Sequence, residues 1–162
     1  YTAGPFPLAY LGLGEIFVIL FFGIVAVMGM IYLHIGQWLL SGFILGLQIG
    51  MLSTVLLVIN NLRDVDGDKL VNKKTLPVRF GAQFGRYEVA FFVFTPFLLG
   101  IYWLSEIRWG AFVLPLATLA LGQKIVKFVF FNKPSPQYNS YLAKAAALHI
   151  LFSLLISVGF LL

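Results

Sequence analysis

The sequence predicts an all-α integral membrane protein with five transmembrane helices. Of its 162 residues, 60% are hydrophobic and only 10% are charged, whereas soluble domains are typically about 45–50% apolar and about 25% charged. Five long apolar stretches follow one another along the chain, and a helix needs about 20 such residues to cross the hydrocarbon core of a bilayer. The absence of cysteine excludes a disulfide-stapled secreted fold and cysteine-ligated metal sites.

Each of the five apolar stretches is bounded by polar or turn-forming residues. The predicted spans are Leu13–Leu33, Leu39–Ile59, Val89–Leu104, Ala111–Phe131 and Ala145–Leu162. The first two carry glycines, which let neighbouring helices approach closely, and we expect these glycines to pack helices: Gly23, Gly29, Gly42, Gly46 and Gly50. The third span is the shortest, and Pro96 within it predicts a kink.

The basic residues are concentrated at one end of the predicted spans. If the five spans alternate in direction, ten of the eleven basic residues lie on one side of the membrane: Arg63, Lys69, Lys73, Lys74, Arg79, Arg86, Lys124, Lys127, Lys133 and Lys144. Only Arg108 lies on the other side. This bias predicts that the loaded end faces the cytoplasm of a bacterial inner or plasma membrane and that the carboxyl terminus is outside. Because these charges flank membrane spans, we expect membrane lipid and no nucleic acid as a partner.

Aromatic residues cluster at the opposite end of the same spans. We expect Trp38, Tyr102, Trp103 and Trp109 near the outer membrane boundary, where amphipathic rings are enriched at the level of the lipid headgroups.

A polar segment, residues 60–69, follows the second span directly. Three of the six acidic residues of the chain, Asp64, Asp66 and Asp68, lie within five positions. If the second helix continues, Asn60, Asp64 and Asp68 lie on one face, where like charges repel. A divalent cation turns that repulsion into coordination, and carboxylate oxygens suit Mg²⁺. The segment therefore predicts a magnesium site at the end of a membrane span, where ionisable groups are usually functional.

Four cations follow the acidic residues in the same connection, namely Lys73, Lys74, Arg79 and Arg86. A carboxylate-held metal beside lysine and arginine is suited to bind a diphosphate and to neutralise its charge as it leaves. The alternative is that these are solvated loop residues and that the basic ones serve only topology.

A calcium-binding EF-hand is excluded. The aspartates fit its first three ligand positions, but the loop then requires glycine and glutamate where this chain has Lys69 and Thr75.

The motif Asn60-Asn61-x-Arg63-Asp64-x-x-x-Asp68, followed by Lys74-Thr75-Leu76-x-Val78-Arg79-x-Gly81, resembles the second Asp-rich motif of the UbiA superfamily of intramembrane prenyltransferases. It looks most like the branch that prenylates 1,4-dihydroxy-2-naphthoate in menaquinone or phylloquinone synthesis. The opening segment from Tyr1 to Glu15 is similar to the one that precedes the fifth span in that branch. The resemblance covers nearly the whole chain, and it implies that residues 1–162 form one unit, helices five to nine of a nine-helix bundle.

The resemblance implies a Mg²⁺-dependent transferase that joins a polyprenyl group to the naphthoate ring, with loss of diphosphate and CO₂. Asp64 and Asp68 would hold the metal and act in catalysis with Arg63 and Lys74. The remaining candidates would contact or support the diphosphate or the aromatic substrate: Asn60, Asn61, Lys73, Arg79, Glu15 and Tyr1. For Glu15, an alternative is a helix-start role, because an acid in the first turn favours the helix dipole.

The first Asp-rich motif of the superfamily, N-D-x-x-D-x-x-x-D, does not occur in this sequence. We therefore expect an amino-terminal half, on the same or another chain, to supply it. Three alternatives stay open: the same scaffold with another aromatic or chlorin acceptor, one half of a membrane transporter, and a non-catalytic interaction subunit. A transporter would place its ionisable residues near the bilayer midplane.

Overall fold

Long apolar runs fold into five membrane-length helices in the computed structural model, which describes residues 12–162. These helices are α1 (Gly14–Ile35), α2 (Leu40–Arg63), α5 (Ala82–Ser105), α6 (Trp109–Phe131) and α7 (Tyr138–Leu161). Two short helices, α3 (Val65–Leu70) and α4 (Leu76–Phe80), lie in the connection between α2 and α5. No strand occurs within residues 12–162. The predicted all-α membrane fold with five spans is confirmed.

The helices extend beyond the apolar stretches that predicted them. The third span begins at Ala82 and the fifth at Tyr138, so the predicted starts at Val89 and Ala145 were too late. The first turns of both helices are rich in polar residues, which a search for apolar runs does not include. The second helix likewise continues past Ile59 to Arg63.

Glycines bring α1 and α2 into close contact. A Cβ atom added at Gly23 would lie 2.6 Å from the Cα of Gly50, and one at Gly46 would lie 2.9 Å from the Cα of Ile24. The predicted packing role is therefore confirmed at this crossing, which lies within a π-helical stretch of α1, Ile19–Val25. It is wrong for Gly29, because a Cβ there would meet nothing within 4 Å in the described structure.

A buried polar network ties α2 to α5 near the predicted kink. Pro96 lies inside α5, and its carbonyl oxygen accepts a hydrogen bond of 2.7 Å from Gln48 Nε2. Trp103 Nε1 donates to Gln48 Oε1 at 3.0 Å. Trp103 is only 2% exposed, whereas Trp38 and Trp109 are 65% and 62% exposed. Trp103 thus lies near the predicted outer end of the span, but its ring is buried and its N–H has a protein partner, so it does not face the lipid headgroups as a boundary belt would.

The core surrounds α2, which packs against α1, α5 and α7. Its buried residues include Leu52, Val55, Val58 and Ile59. At the end of the bundle that holds α3 and α4, Arg86 Nη2 donates to the carbonyl oxygen of Asn132 at 3.3 Å. The connections between α2 and α5 and between α6 and α7 therefore meet at one end of the bundle, called here the loop end.

Candidate functional site

The polar segment at the end of α2 keeps a helical register through a break. Asp64 joins α2 to α3 with φ −97° and ψ 8°, outside the helical range. Its N–H nevertheless donates to Asn60 O at 3.1 Å, and the Asp68 N–H donates to Asp64 O at 2.8 Å. The expected continuous helix is thus interrupted at Asp64, but Asn60, Asp64 and Asp68 still lie on successive turns.

Arg63 fixes the carboxylate of Asp64. Its Nε donates to Asp64 Oδ1 and its Nη2 to Oδ2, both at 2.7 Å. The same guanidinium donates to Asn60 Oδ1 at 2.8 Å and to Asn139 Oδ1 of α7. These hydrogen bonds hold the pKa of the Asp64 carboxyl below its ordinary value; burial opposes this, and the charges of Arg63 and Lys73 lower the pKa further. Asp64 is therefore kept ionised.

Asp68 is more buried than Asp64 and forms an ion pair with Lys73. The turn after α3 passes through Asn72, whose φ of 55° is left-handed, and the Lys73 N–H donates to Asp68 O at 2.9 Å. This turn brings Lys73 Nζ to 3.0 Å from Asp68 Oδ1. Asp68 is 7% exposed, and its Oδ2 is buried with no hydrogen-bond partner in the described structure. A buried carboxylate oxygen without a partner is costly and suits a ligand or metal ion.

Other buried polar atoms without a partner lie near Asp68 along the chain. Within the described residues, buried side-chain atoms that lack a hydrogen bond are Asp68 Oδ2, Thr75 Oγ1, Arg86 Nε and Glu88 Oε2. All four belong to the connection between α2 and α5 or to the first turns of α5. Because more than about 90% of buried polar groups in proteins are paired, their gathering makes the loop end the candidate binding surface.

Glu15 and Asn61 form a separate pair beside α2. Asn61 Nδ2 donates to Glu15 Oε1 at 3.0 Å, and both residues are 4% exposed. Asn61 therefore bonds to α1, while its neighbour Asn60 bonds to Arg63. Glu88, at the start of α5, lies close enough to Glu15 for the two carboxyl groups to interact electrostatically.

Lys74 and Arg79 are exposed at the loop end. Gly12, with a φ of 68°, lies against this segment, since a Cβ there would be 3.5 Å from the guanidinium carbon of Arg79 and would clash with the carbonyl oxygen of Lys74. Gly12 thus approaches the 74–79 segment. Tyr1, the remaining candidate, falls outside the described residues.

Comparison with known proteins identifies the family. The UbiA prenyltransferase family matches residues 1–159. The chain is a member of the UbiA prenyltransferase family. No solved structure gives a significant match.

Several curated relatives of this UbiA chain are named 1,4-dihydroxy-2-naphthoate octaprenyltransferase. The protein from Haemophilus influenzae is 32% identical over 99% of this chain and 53% of its own length. The one from Escherichia coli is 36% identical over 76% of this chain and 41% of its own length, and the one from Mycobacterium leprae is 36% identical over 75% and 41%. The chain thus spans about half the length of the curated relatives it matches.

The carboxylates of this UbiA chain fit a magnesium ion that shares its coordination with a substrate. The described residues contain no group of three or more His, Cys, Asp or Glu side chains placed to hold a metal by themselves. Mg²⁺ is commonly bound by one or two carboxylates together with substrate phosphates and waters. Asp64 and the unpartnered oxygen of Asp68 meet that requirement from the protein side.

The sequence pattern missed two members of this polar end. Glu88 directly precedes the apolar run at Val89, and its burial is not evident from that position. Thr75 belongs to the motif, but its burial depends on the fold around α4. An acidic residue next to an apolar run was the available signal for Glu88, since a buried charge near a membrane is costly.

Proposed function

We propose that the full-length protein containing this chain transfers a polyprenyl group from a polyprenyl diphosphate to 1,4-dihydroxy-2-naphthoate, in menaquinone synthesis. The allylic C–O bond breaks and its electron pair leaves with the diphosphate. The ring gains the prenyl carbon and loses its carboxylate as CO₂. Family membership and the names of the relatives support this proposal. The observation that carries it is the pair Asp64 and Asp68, which lie one turn apart where α2 ends at the loop end. One oxygen of Asp68 is buried there and has no partner in the described structure.

Asp64 and Asp68 would hold Mg²⁺, which supplies positive charge to the departing diphosphate. Arg63 orients Asp64 through both carboxylate oxygens. Lys73 holds the other oxygen of Asp68 and adds positive charge near Asp64. Charge that is fixed before the reaction begins costs no reorganisation when the C–O bond breaks. The charged groups at the loop end are therefore preorganised to stabilise a leaving anion.

Exposed cations at the loop end would contact the diphosphate itself. Lys74 and Arg79 are the candidates, because they lie at the surface beside the Asp68 turn. Asn60 would support the site indirectly, because its Oδ1 accepts a hydrogen bond from Arg63. The buried pair of Glu15 and Asn61 is our candidate for the aromatic substrate, and Tyr1 joins it as a sequence-based candidate.

We propose that the loop end faces the cytoplasm of a bacterial inner membrane and that the carboxyl terminus is outside. The basic residues of the chain gather at the loop end, as the positive-inside rule requires of a cytoplasmic face. The apolar helices would accommodate the prenyl chain within the bilayer, while the diphosphate stays at the polar end. The first Asp-rich motif would come from an amino-terminal half.

The test is prenyl transfer by the full-length protein with Asp68→Asn and, separately, Asp64→Asn. Each substitution removes a metal-binding charge while keeping shape, so we expect at least a ~100-fold loss of Mg²⁺-dependent product formation. The matched control is Asp66→Asn, which removes the same charge from an exposed position of the same helix. It should retain activity within about twofold of the wild type.

The acceptor is tested in the same assay by offering 1,4-dihydroxy-2-naphthoate and a hydroxybenzoate. Product and released CO₂ with the naphthoate alone support the proposed substrate. Full activity of both aspartate variants would overturn the metal assignment. A preference for the hydroxybenzoate would assign the chain to another branch of the family and leave the metal site standing.

A further inference from the structure

A groove lined by lysines lies at the loop end between α6 and α7, apart from the aspartate site. Its volume is about 330 Å³. Its walls include three cationic and three aromatic side chains: Lys124, Lys127, Lys144, Phe128, Phe131 and Tyr141. No acidic residue lines it. The groove therefore combines positive charge with an apolar surface within two turns of the end of α6.

The lysines of this groove form no ion pair with the residues that the structure describes. Ion pairs in the described part of the chain join Arg63 to Asp64 and Lys73 to Asp68, and neither involves a groove lysine. Lys144 Nζ instead lies 3.7 Å from the ring centroid of Tyr141. That ring stacks on Phe128 with a centroid distance of 3.5 Å. The aromatic stack thus holds one ammonium group in place by a cation–π interaction, which leaves its charge available to an anion.

A second, apolar groove continues from the first. It has a volume of about 550 Å³ and runs between α5 and α6. Tyr87, Ala90, Phe94, Val126 and Phe130 are among its walls, and Lys127 and Phe131 line both grooves. Tyr87 and Phe94 are two helical turns apart, so this groove extends about 10 Å along the span. A cationic recess and an apolar channel therefore meet at the membrane boundary.

We propose that this surface binds an anionic phospholipid, with its phosphate headgroup at Lys124, Lys127 and Lys144 and an acyl chain in the apolar groove. Basic pockets between transmembrane helices recognise headgroups of this charge. The positive-inside rule accounts for lysine on this side of the membrane, but it does not require three lysines around one aromatic stack. The proposal is independent of prenyl transfer, because none of these lysines belongs to the aspartate site.

The test measures lipid retained by the purified full-length protein in native mass spectrometry. The protein is equilibrated with mixed micelles of phosphatidylglycerol and phosphatidylcholine in mild detergent. We expect preferential retention of phosphatidylglycerol, which Lys124→Gln with Lys144→Gln should weaken about 30-fold, equivalent to about 1 kcal/mol for each lysine. The matched control, Lys69→Gln with Lys133→Gln, removes two charges from exposed positions outside the groove and should retain the lipid.

Two outcomes would overturn the proposal. Equal loss in both double variants would show that overall charge, and not the groove, attracts the lipid. Displacement of phosphatidylglycerol by inorganic diphosphate at millimolar concentration would show that the lysines bind a soluble phosphate. All four lysines are exposed, so thermal unfolding of both variants should match that of the wild type and verify that the comparison is between folded proteins.

Discussion

Buried polar groups in the middle of the bundle have hydrogen-bond partners, whereas several of those at the loop end have none in the described structure. Gln48 uses both ends of its amide, since it donates to the Pro96 carbonyl and accepts from Trp103. At the loop end, four residues each carry a buried atom that has no hydrogen-bond partner in the described structure: Asp68, Thr75, Arg86 and Glu88. The same bundle therefore pairs its polar groups in the middle and leaves several unpaired where the chain leaves the membrane.

This difference indicates which polar groups stabilise the fold and which are available to bind a ligand. An unpaired polar group in an apolar interior costs about 1–3 kcal/mol, so the middle of the bundle contains paired groups that hold helices together. At the loop end, a bound ligand could offset the same cost. Substitutions of the paired groups should then lower stability, and substitutions of the unpaired groups should change activity or binding without lowering stability.

The largest stability effect is expected for Gln48→Leu. This change leaves the Trp103 N–H unpaired and removes the tie from α2 to Pro96, although the Pro96 carbonyl still accepts from the Gly100 N–H. We expect the free energy of unfolding in mild detergent to fall by about 2 kcal/mol, with prenyl transfer per folded molecule unchanged. Gln37→Leu, at an exposed position between α1 and α2, is the control and should leave thermal unfolding unchanged.

If Gln48→Leu instead lowered activity and spared stability, the middle of the bundle would take part in substrate binding. The paired groups in the middle of the bundle would then not serve stability alone.

A smaller effect, on activity alone, is expected for Thr75→Val. Valine keeps the shape of the side chain but removes a buried hydroxyl that has no partner among residues 12–162, so stability should not fall. We expect about a tenfold loss of prenyl transfer, which corresponds to one hydrogen bond to a charged group. Steady-state assays and thermal unfolding measure the two quantities separately.

Thr54→Val is the matched control for Thr75→Val. Its hydroxyl is fully buried and donates to the Gly50 carbonyl within α2 at 2.8 Å. This variant should keep full activity. If Thr75→Val lost stability but kept its activity, Thr75 would have a structural role and no role in binding.

The smallest effect, and one of opposite sign, is expected for Glu88→Gln. Glutamine removes a buried carboxyl group that lies close to Glu15 and has an unpartnered oxygen. Because glutamine cannot ionise, the variant avoids the cost of burying a second charge beside Glu15, so its free energy of unfolding should rise by about 1 kcal/mol or less. Chemical denaturation of the variant beside Asp66→Asn, an exposed carboxylate, provides the comparison. A destabilised Glu88→Gln would mean that the carboxyl group has a structural partner.

The sequence predicted the fold and part of the site. Features that depend on neighbouring residues could be predicted, whereas contacts between residues far apart in the sequence could not. Hydropathy is local, so the five spans could be recognised, and the spacing of Asp64 and Asp68 survives because backbone hydrogen bonds carry the register through the break. The partners of Gln48 and Asn61 lie 46 to 55 residues away in sequence. Such pairs depend on how α1, α2 and α5 pack, which residue spacing does not encode.

The Arg63 guanidinium has a consequence for the relation between the protein and its bilayer. It donates to Asp64 at the end of the second span and also to Asn139 in the first turn of the last span. Membrane helices tilt when bilayer thickness changes, and a tilt of α7 moves Asn139 relative to the end of α2. Such a tilt would act on one of the acceptors that hold the guanidinium beside Asp64, so a membrane of different thickness would load the hydrogen bond between Arg63 and Asn139 first.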